Sequence, residues 1–281
     1  MIGLLLQIGL LVGATGVVEG QSVTTSDGAW IWQNPLPQGG HLSGVWGTSS
    51  DNIWAVGADG MIVNWNGDTW TGQQSNTTNW LRGIWGSDAN HVWSVGDAGA
   101  IVQWNGSVWR THDSGTTMML SEVWGSDADN VWVAGENGTI LKWNGTAWSI
   151  QVSGVTKRLR SLWGSDVNNV WAVGDDGTIL RWNGSVWNPQ NSGTTARLLW
   201  VWGSNANNVW AIGERVMLHW NGSSWSTHNL TVPINASITE IWSQTTTDVW
   251  AIGNFAGGGV PFKLIGTTWQ IQSAQTWEGL S

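Results

Sequence analysis

The 281-residue chain has no cysteine and no tyrosine, only two phenylalanines and five prolines, and its charged residues make up 10% of the whole. Without cysteine there can be no disulfide and no thiolate metal centre, so packing alone must hold the fold. Ten Lys and Arg stand against nineteen Asp and Glu, a net charge of −9. That far field disfavours nucleic acid as a partner. The five histidines, His41, His91, His112, His219 and His228, are scattered without ligand spacing. There is no Gly-x-Ser-x-Gly elbow, no phosphate-binding glycine loop opening a helix and no glutamate cluster. No catalytic residue, metal site or cofactor is therefore read from the sequence, and a non-enzymatic role is favoured.

Tryptophan fills the space the other aromatics leave. The chain has 28, and 23 of them recur in a phrase of the form V-W-G-S-D-x-x-N-V-W-A-V-G-x-x-G-x-I-L-x-W-N-G-x-x-W. Its first Trp falls at Trp46, Trp85, Trp124, Trp163, Trp202 and Trp242, a step of 39 or 40 residues. The copies begin near residues 42, 81, 120, 159, 198 and 238. A repeat of this length built from short strands is the signature of a propeller blade.

Residues 159–192 illustrate one copy. Leu159 to Trp163, Val170 to Val173, Thr178 to Trp182 and Val186 to Asn188 are rich in β-branched and aromatic residues, and turn chemistry separates them. The sequence Gly174-Asp175-Asp176-Gly177 predicts the second hairpin, and Asn183-Gly184 predicts a tight third one. Ser165-Asp166-Val167-Asn168-Asn169 predicts a compact loop capped by its own side chains rather than a Ca²⁺ site. One four-stranded sheet cannot bury both its faces, so neighbouring copies must stack. The expected fold is all-β: a propeller of four-stranded antiparallel blades with six complete repeats, a seven-bladed ring being the alternative. Residues 27–30 resemble a turn and fourth strand, and residues 277–281 resemble the approach to another first strand.

Residues 2–13 are an apolar run of signal-peptide length, followed by small residues, so residues 1–20 read as a signal peptide and 21–281 as one propeller domain. The run is short for a membrane span, and no stable span is expected after cleavage. The expected location is secreted, periplasmic or at the cell surface. Of eight Asn-x-Ser/Thr sequons, those at Asn105, Asn144, Asn183 and Asn221 arise from the Asn-Gly turn and read as turn chemistry.

The stretch V-W-A-V-G-x-x-G-x-I-L-x-W-N-G-x-x-W resembles bacterial tryptophan-rich propeller repeats, related to BNR/Asp-box, WD40/YVTN-like and photosystem II stability/assembly-factor-like propellers. The likeness covers roughly residues 27–275. It implies a propeller and is nearly silent about activity. Trp143-Asn144-Gly145 stands where an Asp-box would carry Asp, and sialidase chemistry as that family implies it needs a tyrosine that this chain lacks.

The informative polar positions are those that break the repeat. The second joint changes in copy five at Gly213-Glu214-Arg215-Val216 and lengthens in copy six between Gly253 and Gly259. In an up-down blade this joint and the inter-blade linker share one face. Arg82, Lys157, Arg158, Arg160 and Arg197 precede first strands, and the sequence places them in the linkers of that face. Trp80 and Trp200, outside the repeat, could stack on a ligand there, as could the off-pattern Trp30, Trp32 and Trp277. The expected function is an exported, non-catalytic module binding a glycan or protein, with an anionic group met by the arginines; the alternative for those residues is that the arginines pair with surface Asp and that Trp80 and Trp200 are buried beneath the linkers. The alternatives are an Asp-box-type glycoside hydrolase, for which Glu214 and Glu240 are the carboxylates to consider, and an assembly-factor-like scaffold.

Overall fold

The computed structural model describes residues 40–213, 216–228, 237–243, 249–255, 258–265 and 268–271. The expected signal peptide, Trp30, Trp32, Trp277, Glu214 and Arg215 lie outside these residues. So do residues 27–30 and 277–281, on which the seven-bladed alternative turned.

Six four-stranded antiparallel sheets follow one another along the described chain. The first holds β1 (Leu42–Ser49), β2 (Asn52–Gly57), β3 (Ile62–Trp65) and β4 (Trp70–Gln73). The second holds β5 (Leu81–Asp88), β6 (His91–Gly96), β7 (Ile101–Trp104) and β8 (Trp109–His112). The third holds β9 (Leu120–Asp127), β10 (Asn130–Gly135), β11 (Ile140–Trp143) and β12 (Trp148–Ile150). The fourth holds β13 (Leu159–Asp166), β14 (Asn169–Gly174), β15 (Ile179–Trp182) and β16 (Trp187–Gln190). The fifth holds β17 (Leu198–Asn205), β18 (Asn208–Gly213), β19 (Val216–Trp220) and β20 (Trp225–His228). The sixth holds β21 (Ser237–Ser243), β22 (Val249–Phe255), β23 (Gly258–Ile265) and β24 (Thr268–Ile271).

Each sheet is an up-down meander, so its first and fourth strands are edges. The first strands pack on one another in chain order, from β1 on β5 through to β17 on β21, which puts them innermost. Glycine makes that approach close enough. A Cβ on Gly86 would stand 2.5 Å from Trp46 Cη2, and one on Gly125 equally close to Trp85. The indoles of Trp46, Trp85, Trp124 and Trp163 thus lie over the glycine of the next blade, Gly86, Gly125, Gly164 and Gly203, and are half-buried.

Between blades the second Trp meets the third and fourth of the next copy. Trp93 lies 5.0 Å from Trp143 and 5.1 Å from Trp148, and Trp171 lies 5.1 Å from Trp220 and 5.3 Å from Trp225. Trp93, Trp132 and Trp171 are fully buried, and their indole N–H groups have no hydrogen-bond acceptor. Trp93–Trp148 at 85° and Trp171–Trp225 at 88° are edge-to-face pairs, a favoured geometry for aromatic rings. Cations enter the same stacks. Lys142 Nζ sits 4.9 Å from the Trp132 ring and 5.4 Å from Trp182, while Arg181 Cζ sits 5.0 Å from Trp171 and 5.5 Å from Trp220.

The turns differ in length from the sequence expectation. β13 runs on through Gly164 to Asp166, which pairs with Asn169, so the predicted five-residue loop is a two-residue turn. A register shift between Gly164 and Asp166 absorbs the extra residue. Asp166 accepts the backbone N–H of Asn168 at 2.8 Å and the Asn169 amide at 2.9 and 3.0 Å. Partial burial raises the Asp166 pKa, but these donors outweigh it and hold the carboxyl below the usual carboxylate range. Asp88 and Asp127 occupy the same position with the same balance. These side chains are capping groups, and no cluster of three or more potential metal ligands occurs among the described residues. The Asn-Gly turn is also longer than predicted: Trp182 pairs with Trp187, so four residues form it. Asn183 Oδ1 holds the loop by accepting the N–H groups of Ser185 and Val186, both at 3.0 Å.

Candidate functional site: the arginine-lined mouth of the linker face

The second joint in each of blades one to four is a single helical turn, as at Asp175–Gly177, with a left-handed residue in its middle. Asp176 has φ 54° and Gly177 has φ 67°. Each turn docks on the linker leading into its own blade. Asp97 N donates to Trp80 O at 2.9 Å, Glu136 N to Met119 O at 2.9 Å and Asp175 N to Arg158 O at 3.0 Å. Turns and linkers therefore share one face. The opposite face carries the capped Asp turns and the Asn-Gly turns.

The structure brings the sequence-predicted cations to this face and corrects their placement. Arg82 and Arg160 lie inside β5 and β13, at the second residue of an inner strand, rather than in linkers. Trp200 is likewise the third residue of β17. Leu81, Leu159 and Leu198, where the sequence repeats begin, are the first residues of these strands and are fully buried, so Arg82, Arg160 and Trp200 belong to the ladder and not to the linkers. Lys157, Arg158, Arg197 and Trp80 do lie in linkers.

Arg82 makes a bidentate pair with Asp97, its Nη2 reaching Oδ2 at 3.0 Å, and its guanidinium lies 4.9 Å above the Trp80 ring. Trp80 in turn stacks beside His41 at 6.2 Å and donates its indole N–H to Ser43 Oγ. Arg160 Nε meets Asp175 Oδ1 at 2.5 Å, with Arg197 Nε at 3.4 Å from the same oxygen, and Lys157 Nζ meets Asp176 at 2.5 Å. Burial raises the Asp175 pKa, but the Arg160 hydrogen bond and the charges of Arg160, Arg197 and Arg158 bring the carboxyl below its ordinary range. The Lys157 pKa is raised by its Asp176 partner.

Arg158 is different. Its Nε reaches Ser121 Oγ at 3.3 Å, a neutral acceptor on the preceding blade. Partial burial, then the charges of Arg160 and Arg82, depress its pKa, while Glu136 and Asp175 oppose them. Arg158 thus feels cations from blades two and four and acids from blades three and four where the inner strands begin. The five cations and the acids Asp97, Glu136, Asp175 and Asp176 sum to +1, which leaves −10 for the rest of a chain of net −9.

The pairing with surface Asp that the sequence offers as the alternative is what the structure shows for Arg82, Lys157, Arg160 and Arg197, although the sequence reading does not say which Asp each one meets. The signal was present: Arg82 and Asp97, like Arg160 and Asp175, stand fifteen residues apart at equivalent repeat positions. Blades one and three carry Ser43 and Ser121 in place of those arginines. Glu214 and Arg215 belong to the corresponding turn of blade five, outside the described residues, and the Glu240 side chain is likewise not described.

No family model and no curated protein matches the chain. Solved structures do match. A structure described as YCF48 bound to D1 peptide aligns at TM-score 0.66 and 18% identity over 84% of this chain and 82% of that one. YCF48 from Cyanidioschyzon merolae aligns at 0.65 and 17% identity, covering 85% and 86%. The C-terminal WD40 domain of Sif2 aligns at 0.66 and 17% identity, covering 88% and 76%. The fold is a β-propeller. It is a tryptophan-rich one, similar in architecture to YCF48 and to WD40 propellers.

Proposed function

We propose that this propeller is a non-catalytic binding module that holds a carboxylate-bearing segment of a partner protein at the mouth formed by Arg82, Arg158, Arg160 and Arg197. The observation that carries the reading is the position of Arg158 at the start of an inner strand, where its hydrogen bond goes to the neutral Ser121 hydroxyl while Arg82, Arg160 and Arg197 are held by Asp97 and Asp175. A guanidinium bonded to a neutral group gains a charge-assisted hydrogen bond when a partner's carboxylate reaches it. The peptide in the YCF48 complex supports a protein ligand over a small molecule. Trp80 already has His41 beside it and Arg82 above it, so the mouth offers cations and backbone more readily than a platform for a sugar. The apolar run at residues 2–13 supports export, which would put the partner outside the cytoplasm.

The test is an array of acidic peptides printed beside anionic glycans, probed with the wild type and with Arg158→Ala/Arg160→Ala/Arg197→Ala. Acidic peptides should bind in a salt-sensitive manner, and the triple variant should bind roughly tenfold or more weakly. Glycans bound equally by both proteins would overturn the reading.

A further inference from the structure

The fourth strand of every blade is an outer edge, and an unprotected edge is a template for another strand. In β12 the pairing with β11 sets Ile150 opposite Leu141 and Ser149 opposite Lys142, and Gln151 N donates to Ile140 O at 2.9 Å. Hydrogen-bonded and non-hydrogen-bonded pairs alternate in an antiparallel ladder. Gln151 and Ser149 therefore bond inward, and the N–H and C=O of Ile150 point away from the sheet.

Blade three differs from its neighbours at these outward positions. Blade one has Gly72, blade two Thr111 and Asp113, blade four Pro189 and Asn191, and blade five Thr227. Proline removes the outward N–H, charge repels a docking strand, and glycine or polar residues offer little to bury. Blade three has Ile150 and Val152, which are 65% and 88% exposed. Its edge residues Ser149 and Gln151 carry no charge. The edge runs into an open groove of about 320 Å³ lined by Gln151, Val152, Ser153, Asn137, Thr139 and Thr116.

We propose that the β12 edge accepts an uncharged, extended segment of a partner protein as a fifth antiparallel strand, with β-branched residues at alternate positions covering Ile150 and Val152. Main-chain hydrogen bonds to Ile150 supply the affinity, and the two apolar side chains set the register. A second copy of this chain fits less well. Two copies of net charge −9 repel, whereas an uncharged segment does not. The site stands apart from the arginine-lined mouth and does not depend on it.

The experiment selects synthetic heptapeptides bearing Val, Ile or Thr at alternate positions and no charge, first on the wild type, then against Ile150→Pro. Proline already occupies the equivalent position of β16 as Pro189, opposite Leu180 in an intact strand, so the variant should fold; circular dichroism and thermal unfolding check this. Selected peptides should bind the wild type and Arg158→Ala equally and lose tenfold or more on Ile150→Pro. Failure to find a peptide that discriminates overturns the proposal. So does a concentration-dependent wild-type dimer in sedimentation that Ile150→Pro abolishes, because the occupant would then be a second copy.

Discussion

Trp171→Ala is expected to lower the free energy of unfolding by about 3–5 kcal/mol, the range for removing a large aromatic from a packed core. Trp171 is fully buried between blades four and five. It meets Trp220 at 5.1 Å and Trp225 edge to face, and it carries Arg181 on its ring at 5.0 Å. Alanine would leave a cavity, remove the π partner of a cation and withdraw the edge-to-face contact of a buried indole. In a repeat protein each blade is held by its neighbours, so the loss falls on the whole joint between two blades. Denaturant unfolding followed by circular dichroism measures it. Val152→Ala, at a position 88% exposed, should change stability by less than about 0.5 kcal/mol and serves as the comparison.

Gly177→Val is expected to damage stability and the candidate site together. At φ 67° a β-branched residue costs roughly 1–2 kcal/mol from conformation alone. A Cβ there would also overlap Thr194 O, a backbone atom of the next linker, which adds roughly 1–3 kcal/mol. Gly177 N donates to Ala196 O at 2.8 Å, so displacing the turn moves the segment that carries Arg197. Asp175, which holds Arg160 and Arg197, opens the same turn. Acidic-peptide binding should therefore weaken in a variant that is still folded at low temperature. Gly193→Ala is the control. Its φ is similar at 69°, but nothing lies within 4 Å of the added Cβ, so only the conformational cost should appear.

The blade was legible because its determinants recur. A Trp, a Gly or an Asn needed at a blade interface or turn recurs in five or six copies, so period and turn chemistry reveal it. The first and third turns were misjudged in length because a register shift at Gly164 and the pairing of Trp182 with Trp187 depend on the facing strand. Arg82 and Arg160 stood out as departures from the repeat. Their partners Asp97 and Asp175 did not, because acidic residues at that turn look like ordinary turn chemistry until the turn is folded against the strand. Ile150 and Val152 were hidden for a related reason. A β-branched residue in a strand is unremarkable until the ladder shows that its backbone points outward.

The most direct test of the arginine-lined mouth as the binding surface is hydrogen exchange, read by mass spectrometry, of the chain alone and saturated with the tightest acidic peptide from the array. Slowed exchange in residues 154–160 and 193–199, with residues 166–169 and 183–186 of the opposite face unchanged, is the predicted result. Protection confined to the opposite face would contradict the account.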